Sequence, residues 1–98
     1  MKLIIKTNSS YVMESFIQDP LEGVNITYEN SNPLHRNISP DDLIKIVIST
    51  IASIPASILS AWIINKIRGS ASEIYIENEK VPEDENTLTR EIEKTKNE

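Results

Sequence analysis

Chemistry on a protein needs a few reactive side chains at the right spacing, and this chain offers few of them. His35 is the single histidine. As a general base it would have to activate a serine, and Ser49, Ser53 and Ser57 recur every fourth residue along a stretch with no charge between Lys45 and Lys66. Nucleophilic catalysis also needs a group to orient the base, and no carboxylate or cysteine is suitably spaced around Leu34-His35-Arg36. The same isolation argues against a metal site at His35, which reads as a solvated loop histidine. There is no cysteine, hence no disulfide and no thiolate chemistry. The carboxylates of Glu83-Asp84-Glu85 and beyond read as a solvated face rather than an acid/base pair. The residues therefore predict a chain without enzymatic activity, metal or cofactor.

Charge narrows the partners. The formal net charge is −5 over 98 residues. Residues 1–68 hold six acidic and six basic side chains, so residues 69–98, with nine acidic and four basic, carry the whole excess. No basic patch is visible, so a nucleic-acid partner is not expected. The opening MKLIIKT has a basic residue and a short apolar run but no long apolar core or cleavage site, so a signal peptide is not expected either.

The elements that would position these side chains centre on residues 39–69, SPDDLIKIVISTIASIPASILSAWIINKIRG, which read as one long apolar helix. Ser39 stands at an N-cap position, Pro40 at the first helical position and Asp42 three residues after the cap. Lys66 and Arg68 suit a last turn, and Gly69 suits a left-handed cap. Unbroken, residues 40–68 would be about 43 Å long, with Pro55 as the place to bend. Residues 46–64 are uncharged, close to the roughly 20 apolar positions that span a bilayer. Ser49, Ser53, Ser57 and Ala61 are spaced by four, with Ala52, Ala56 and Ser60 in a second row beside them. Such rows of small residues let another backbone approach closely. Trp62, beside Lys66 and Arg68, would anchor the end. Ser49, Ala52, Ser53, Ala56, Ser57, Ser60, Ala61 and Trp62 are accordingly the expected interface.

The flanks are simpler. Residues 2–7 read as a strand with Leu3 and Ile5 on one side, and Ser9 or Ser10 can cap a short helix over 11–18. Gly23 permits a turn into residues 24–29, where Val24, Ile26 and Tyr28 alternate with Asn25, Thr27 and Glu29. Residues 73–77 alternate again, a tight turn leads into Lys80-Val81, and Pro82 ends that segment. Residues 84–96 form a weak helix with Leu88 and Ile92 as its apolar anchors. The expected fold is α+β: a single β-α-β-α-β-α domain, with a three-stranded sheet and one long apolar helix. Its parts are a head (1–38), the helix (39–69), a third strand (70–82) and a weak helix and tail (83–98).

KLIIKT, VNITYEN, the stretch ending Ala61-Trp62-Ile63-Ile64-Asn65-Lys66-Ile67-Arg68, and IYIENEKV occur in an order that resembles the effector-associated constant component family of bacterial conflict systems. Members look like a strand, short helix and second strand, then a long apolar helix ending in AW-x-x-basic, then a V-x-V-x strand. The resemblance implies a non-enzymatic accessory that links an effector or sensor to other components.

Three functions follow as expectations. The first is an adaptor of a bacterial defence or conflict system that binds itself, as a homo-oligomer, or an effector protein through helix 40–68. The second is a single-span membrane effector or small phage membrane protein, so that both the cytoplasm and the inner membrane are expected locations. The third is an acidic phage-encoded inhibitor acting through residues 83–98.

Overall fold

A computed structural model describes residues 1–30, 44–50 and 54–96. Its strands and helices are β1 (Lys2–Thr7), α1 (Ser10–Gln18), β2 (Val24–Asn30), β3 (Ile44–Thr50), α2 (Ala56–Ile67), β4 (Glu73–Ile76), β5 (Glu79–Val81) and α3 (Glu85–Lys96). The strands form one antiparallel sheet in the order β2-β3-β1-β4-β5. Both β1 and β2 run antiparallel to β3, so they share a direction, with α1 as the crossover between them.

Period-two patterning decides which face each residue takes. Leu3 pairs with Ile48 and Ile76, and Ile5 pairs with Ile46 and Ile74. These side chains share one face and are at most 4% exposed. The helices cover that face: Val12 and Phe16 of α1, Leu59, Ile63 and Ile67 of α2, and Leu88 and Ile92 of α3 belong to the same apolar cluster. Each fully buried Leu or Ile contributes roughly 1.5–3 kcal/mol. Among the described residues, the other sheet face carries no helix.

Helix ends and turns follow local chemistry. The Ser9 hydroxyl accepts from the Val12 amide at the start of α1. Gly69, at φ +82, lets the chain leave α2 after Arg68. The Asp84 carboxylate accepts from the Thr87 amide at 2.9 Å and from its hydroxyl at 2.7 Å, capping α3.

Two expectations are corrected. No single helix covers 40–68, because residues 44–50 are strand β3 and the apolar helix is only the twelve residues of α2. With β3, and with β5 (Glu79–Val81) paired to β4, the sheet has five strands rather than three. The physical reason lies in Ile44-Lys45-Ile46-Val47-Ile48. Its β-branched residues favour a pleated surface, and Ile44, Ile46 and Ile48 are buried while Lys45 is exposed. As a strand, this segment pairs with β1 on one side and β2 on the other; as a helix it would leave both without a partner between them. Pro55 does not kink a helix. It immediately precedes α2, where a missing N–H costs nothing, and its carbonyl accepts from Ile58 and Leu59 at 3.1 Å each. The cap expected at Ser39, Pro40 and Asp42 lies outside the described residues, as does His35. Among the described residues, no helix is long and apolar enough to cross a membrane.

Candidate interaction surface

The small residues expected to form one strip are distributed over different environments. Ser49 sits on β3, on the sheet face without helices. Ala56 and Ser60 are buried beneath α2, and the Ser60 hydroxyl has no hydrogen-bond partner among the described residues. Ser57 and Ala61 lie on the exposed side of α2 with Ile58, which is 50% exposed. Ala52 and Ser53 fall outside the described residues. Trp62 ties α2 to α1: its indole N–H donates to the Asp19 carbonyl at 2.9 Å, and its ring meets Phe16 edge-on with centroids 5.1 Å apart. Lys66 Nζ closes the same junction, 2.6 Å from Asp19 Oδ2. The acidic C-terminal stretch is not a loose tail over residues 85–96, since Leu88 and Ile92 of α3 are fully buried.

The helix-free sheet face brings together a set of residues that no local pattern assembles. The register aligns Thr27, Val47, Ile4, Tyr75 and Lys80 in one row across all five strands. A second row beside it runs Glu29, Lys45, Lys6, Glu73. Val47 is only 9% exposed although, among the described residues, no helix lies over this face, so the first row has an apolar centre. Lys6 Nζ sits 4.5 Å from the centroid of the Tyr75 ring, a cation–π contact. Lys80 lies 2.9 Å from Glu73. Its hydrogen bond and charge hold the Glu73 carboxyl below its ordinary value, and Glu73 in return pushes the Lys80 ammonium up. Among the described residues, Lys6 and Lys45 form no ion pair.

The wet sides of β1, β2 and β4 were readable singly, from Lys2-Ile4-Lys6, Asn25-Thr27-Glu29 and Glu73-Tyr75. Their union depends on β3 lying between β1 and β2, and no sequence signal pointed to that.

A groove of about 220 Å³ lies between α3 and the β4–β5 turn, lined by Ile76, Glu77, Glu79, Glu91, Lys94 and Thr95. It is smaller than the roughly 300–1,000 Å³ of most ligand pockets. Among the described residues, no group of histidine and carboxylate side chains could hold a metal ion. Comparison of the chain with protein-family models, curated proteins and solved structures finds no match.

Proposed function

We propose that the chain is a non-enzymatic interaction module of a bacterial defence or conflict system, an adaptor that holds an effector protein on the helix-free face of its sheet. The observation that carries this reading is the ammonium doublet of Lys6 and Lys45, set beside Tyr75 and the apolar row through Ile4 and Val47. Two cations that form no ion pair among the described residues, flanking an aromatic and aliphatic strip, fit a carboxylate-bearing segment that also offers an apolar side chain. Opposite charges would steer that segment and fix its register, while the apolar row supplies burial. The resemblance to effector-associated components rests on KLIIKT, VNITYEN, the Ala61-Trp62 end of α2 and IYIENEKV, since the long helix of that layout is β3 and α2 here. A membrane-spanning role through helix 40–68 has no basis once residues 44–50 are a strand.

The test uses the proteins encoded beside this one. Each is co-expressed with the chain, and the affinity of any complex is measured by calorimetry at low and high salt. Lys6→Glu with Lys45→Glu should weaken binding by at least about tenfold, and the wild-type affinity should fall with salt. A complex indifferent to both the charge reversal and the salt would exclude this face as the docking site.

A further inference from the structure

We propose that two copies of this chain pair through the outer edges of their β2 strands, antiparallel across a two-fold axis at Thr27, to make one continuous sheet. This goes beyond the adaptor reading, because it uses the backbone edge of β2 rather than the Lys6 and Lys45 side chains.

The two edges of the sheet are built differently. β5 is three residues long, carries Glu79 and Lys80, and is followed by Pro82. Short length, charge and proline are the devices by which natural sheets block pairing with another chain. β2 has none of them. It is seven residues long, its only charged residue is Glu29, and it contains no lysine or proline. Its outer backbone groups face no strand among the described residues. Its apolar side is also incompletely covered: Val24, Ile26 and Tyr28 are half-buried, whereas their neighbours Ile46 and Ile48 on β3 are at most 1% exposed.

The occupant is argued from the strand's own sequence. An axis at Thr27 is the register that pairs all seven residues of Val24–Asn30. It sets Thr27 against Thr27, Ile26 against Tyr28 and Asn25 against Glu29. Threonine pairs and pairs of an aromatic with a β-branched residue are favourable cross-strand neighbours, and no like charges meet. Partners of equal parity keep Ile26 and Tyr28 on the helix side in both copies, and a one-residue slip would turn them out. Pairing β2 with β5 instead would leave free edges and grow without closing, and the short, charged β5 blocks it. The β2–β2 contact uses the same patch twice and stops at two copies.

Sedimentation velocity and single-cysteine cross-linking test this. The wild-type chain should sediment as a dimer. Thr27→Lys places two ammonium groups on the axis and should give a monomer at low salt with an unchanged far-UV circular dichroism spectrum. The chain has no cysteine of its own, so Thr27→Cys introduces the only thiol. Directly opposed residues on antiparallel strands have Cα atoms about 4.5–5.5 Å apart, within the range a disulfide bridges. Oxidation of Thr27→Cys should give a covalent dimer at least about tenfold faster than Ser57→Cys on the exposed side of α2. A monomeric wild type would overturn the proposal, as would a dimer that ignores Thr27→Lys or cross-links faster at Ser57. Thr27 ends the row that runs through Val47 and Ile4 on the docking face, so effector binding is read separately, with the Lys6→Glu and Lys45→Glu variant: lost binding with the dimer intact separates the two readings.

Discussion

Lys6 of β1 and Lys45 of β3 stand directly opposite each other on the helix-free sheet face, with Glu73 and Glu29 as the next residues outward in their row. Like charges in that relationship repel by a few tenths of a kcal/mol, up to about 1. The facing glutamates offset part of the cost. Lys45→Thr removes the repulsion, keeps a β-branched residue in the strand and gives up the neighbouring Glu29. Stability in urea should stay within about 0.5 kcal/mol of wild type, with any gain largest at low salt. A loss well beyond that would make Lys45 a structural residue and weaken its assignment to docking.

Trp62 and Asp19 give a second expectation, because they separate a main-chain acceptor from a side-chain one. The indole N–H donates to the Asp19 carbonyl, whereas Lys66 bonds the Asp19 carboxylate, which is 71% exposed. Trp62→Phe should therefore destabilise by about 1 kcal/mol from the hydrogen bond, plus the lost ring area. Asp19→Ala keeps the carbonyl and removes the ion pair with Lys66, whose side chain is only 12% exposed, so it should cost about 1 kcal/mol, less than the hydrogen bond and ring area lost together in Trp62→Phe. Thermal melts followed by circular dichroism rank the two, and the reverse order would contradict this account of the α1–α2 junction.

Much of the fold was legible because local patterns and local chemistry agreed. Ser9 caps α1, Gly23 and Gly69 adopt positive φ, and Leu88 and Ile92 are buried anchors of α3. Each follows from turn chemistry or from residues three and four apart. The segment Ile44–Ser49 was not legible in the same way. Val47 adds an apolar residue on the opposite face of the strand, which hides the alternation of Ile44, Ile46 and Ile48 around Lys45. A run of that kind reads equally as the start of a buried helix. The discriminating signals were the density of β-branched residues and Ile54-Pro55, since a residue before proline avoids helical geometry. The candidate surface was less legible still. Lys6 and Lys45 lie far apart in the chain, and Tyr75 farther, so only the sheet register joins them. The described residues of the expected interface do not share one strip, for the related reason that spacing by four lines residues up only along an unbroken helix.

Ser60 offers a test of packing beneath α2. Its side chain is fully buried and its hydroxyl has no partner among the described residues. Burying an unpaired hydroxyl is unfavourable, and alanine is also the better helix former. Ser60→Ala should stabilise by about 1 kcal/mol, raising the midpoint of thermal unfolding by roughly 4–8 °C for a domain of this size. It should leave the sedimentation behaviour unchanged, since the residue faces the core. A Ser60→Ala variant that melts lower than wild type would mean that the hydroxyl does have a partner in solution.

Asp84 predicts a pH dependence. Hydrogen bonds from the Thr87 hydroxyl and amide hold its carboxyl below the ordinary aspartate value of 3.8. The folded state thus favours the ionised cap, and the stability it confers is present above that ordinary value. That stability is lost as pH falls through the depressed folded value. Asp84→Asn should melt below wild type at neutral pH, and the difference should narrow as the pH is lowered past 3.8. Parallel thermal melts across that interval follow it. A gap that stays constant down to strongly acidic pH would show that the charge on Asp84 plays no part in capping α3.

The β4–β5 turn supplies the last expectation. Its two central residues, Glu77 at φ 49 and Asn78 at φ 71, both lie in the left-handed region, as a two-residue hairpin of the I′ kind requires. Asparagine tolerates that geometry and glycine suits it best. Glu77 is held there by β1: its amide approaches the Lys2 carbonyl at 3.5 Å, and its carboxylate accepts from the Lys2 amide at 3.4 Å. Substitution is therefore cleaner at Asn78. Asn78→Gly should stabilise by up to about 1 kcal/mol and Asn78→Val should destabilise by roughly 1–2 kcal/mol, a split set by the backbone angle alone. Urea unfolding of the pair measures it. Equal stabilities would mean that the hairpin adopts a different turn in solution, and with it a different register between Ile76 and Glu79.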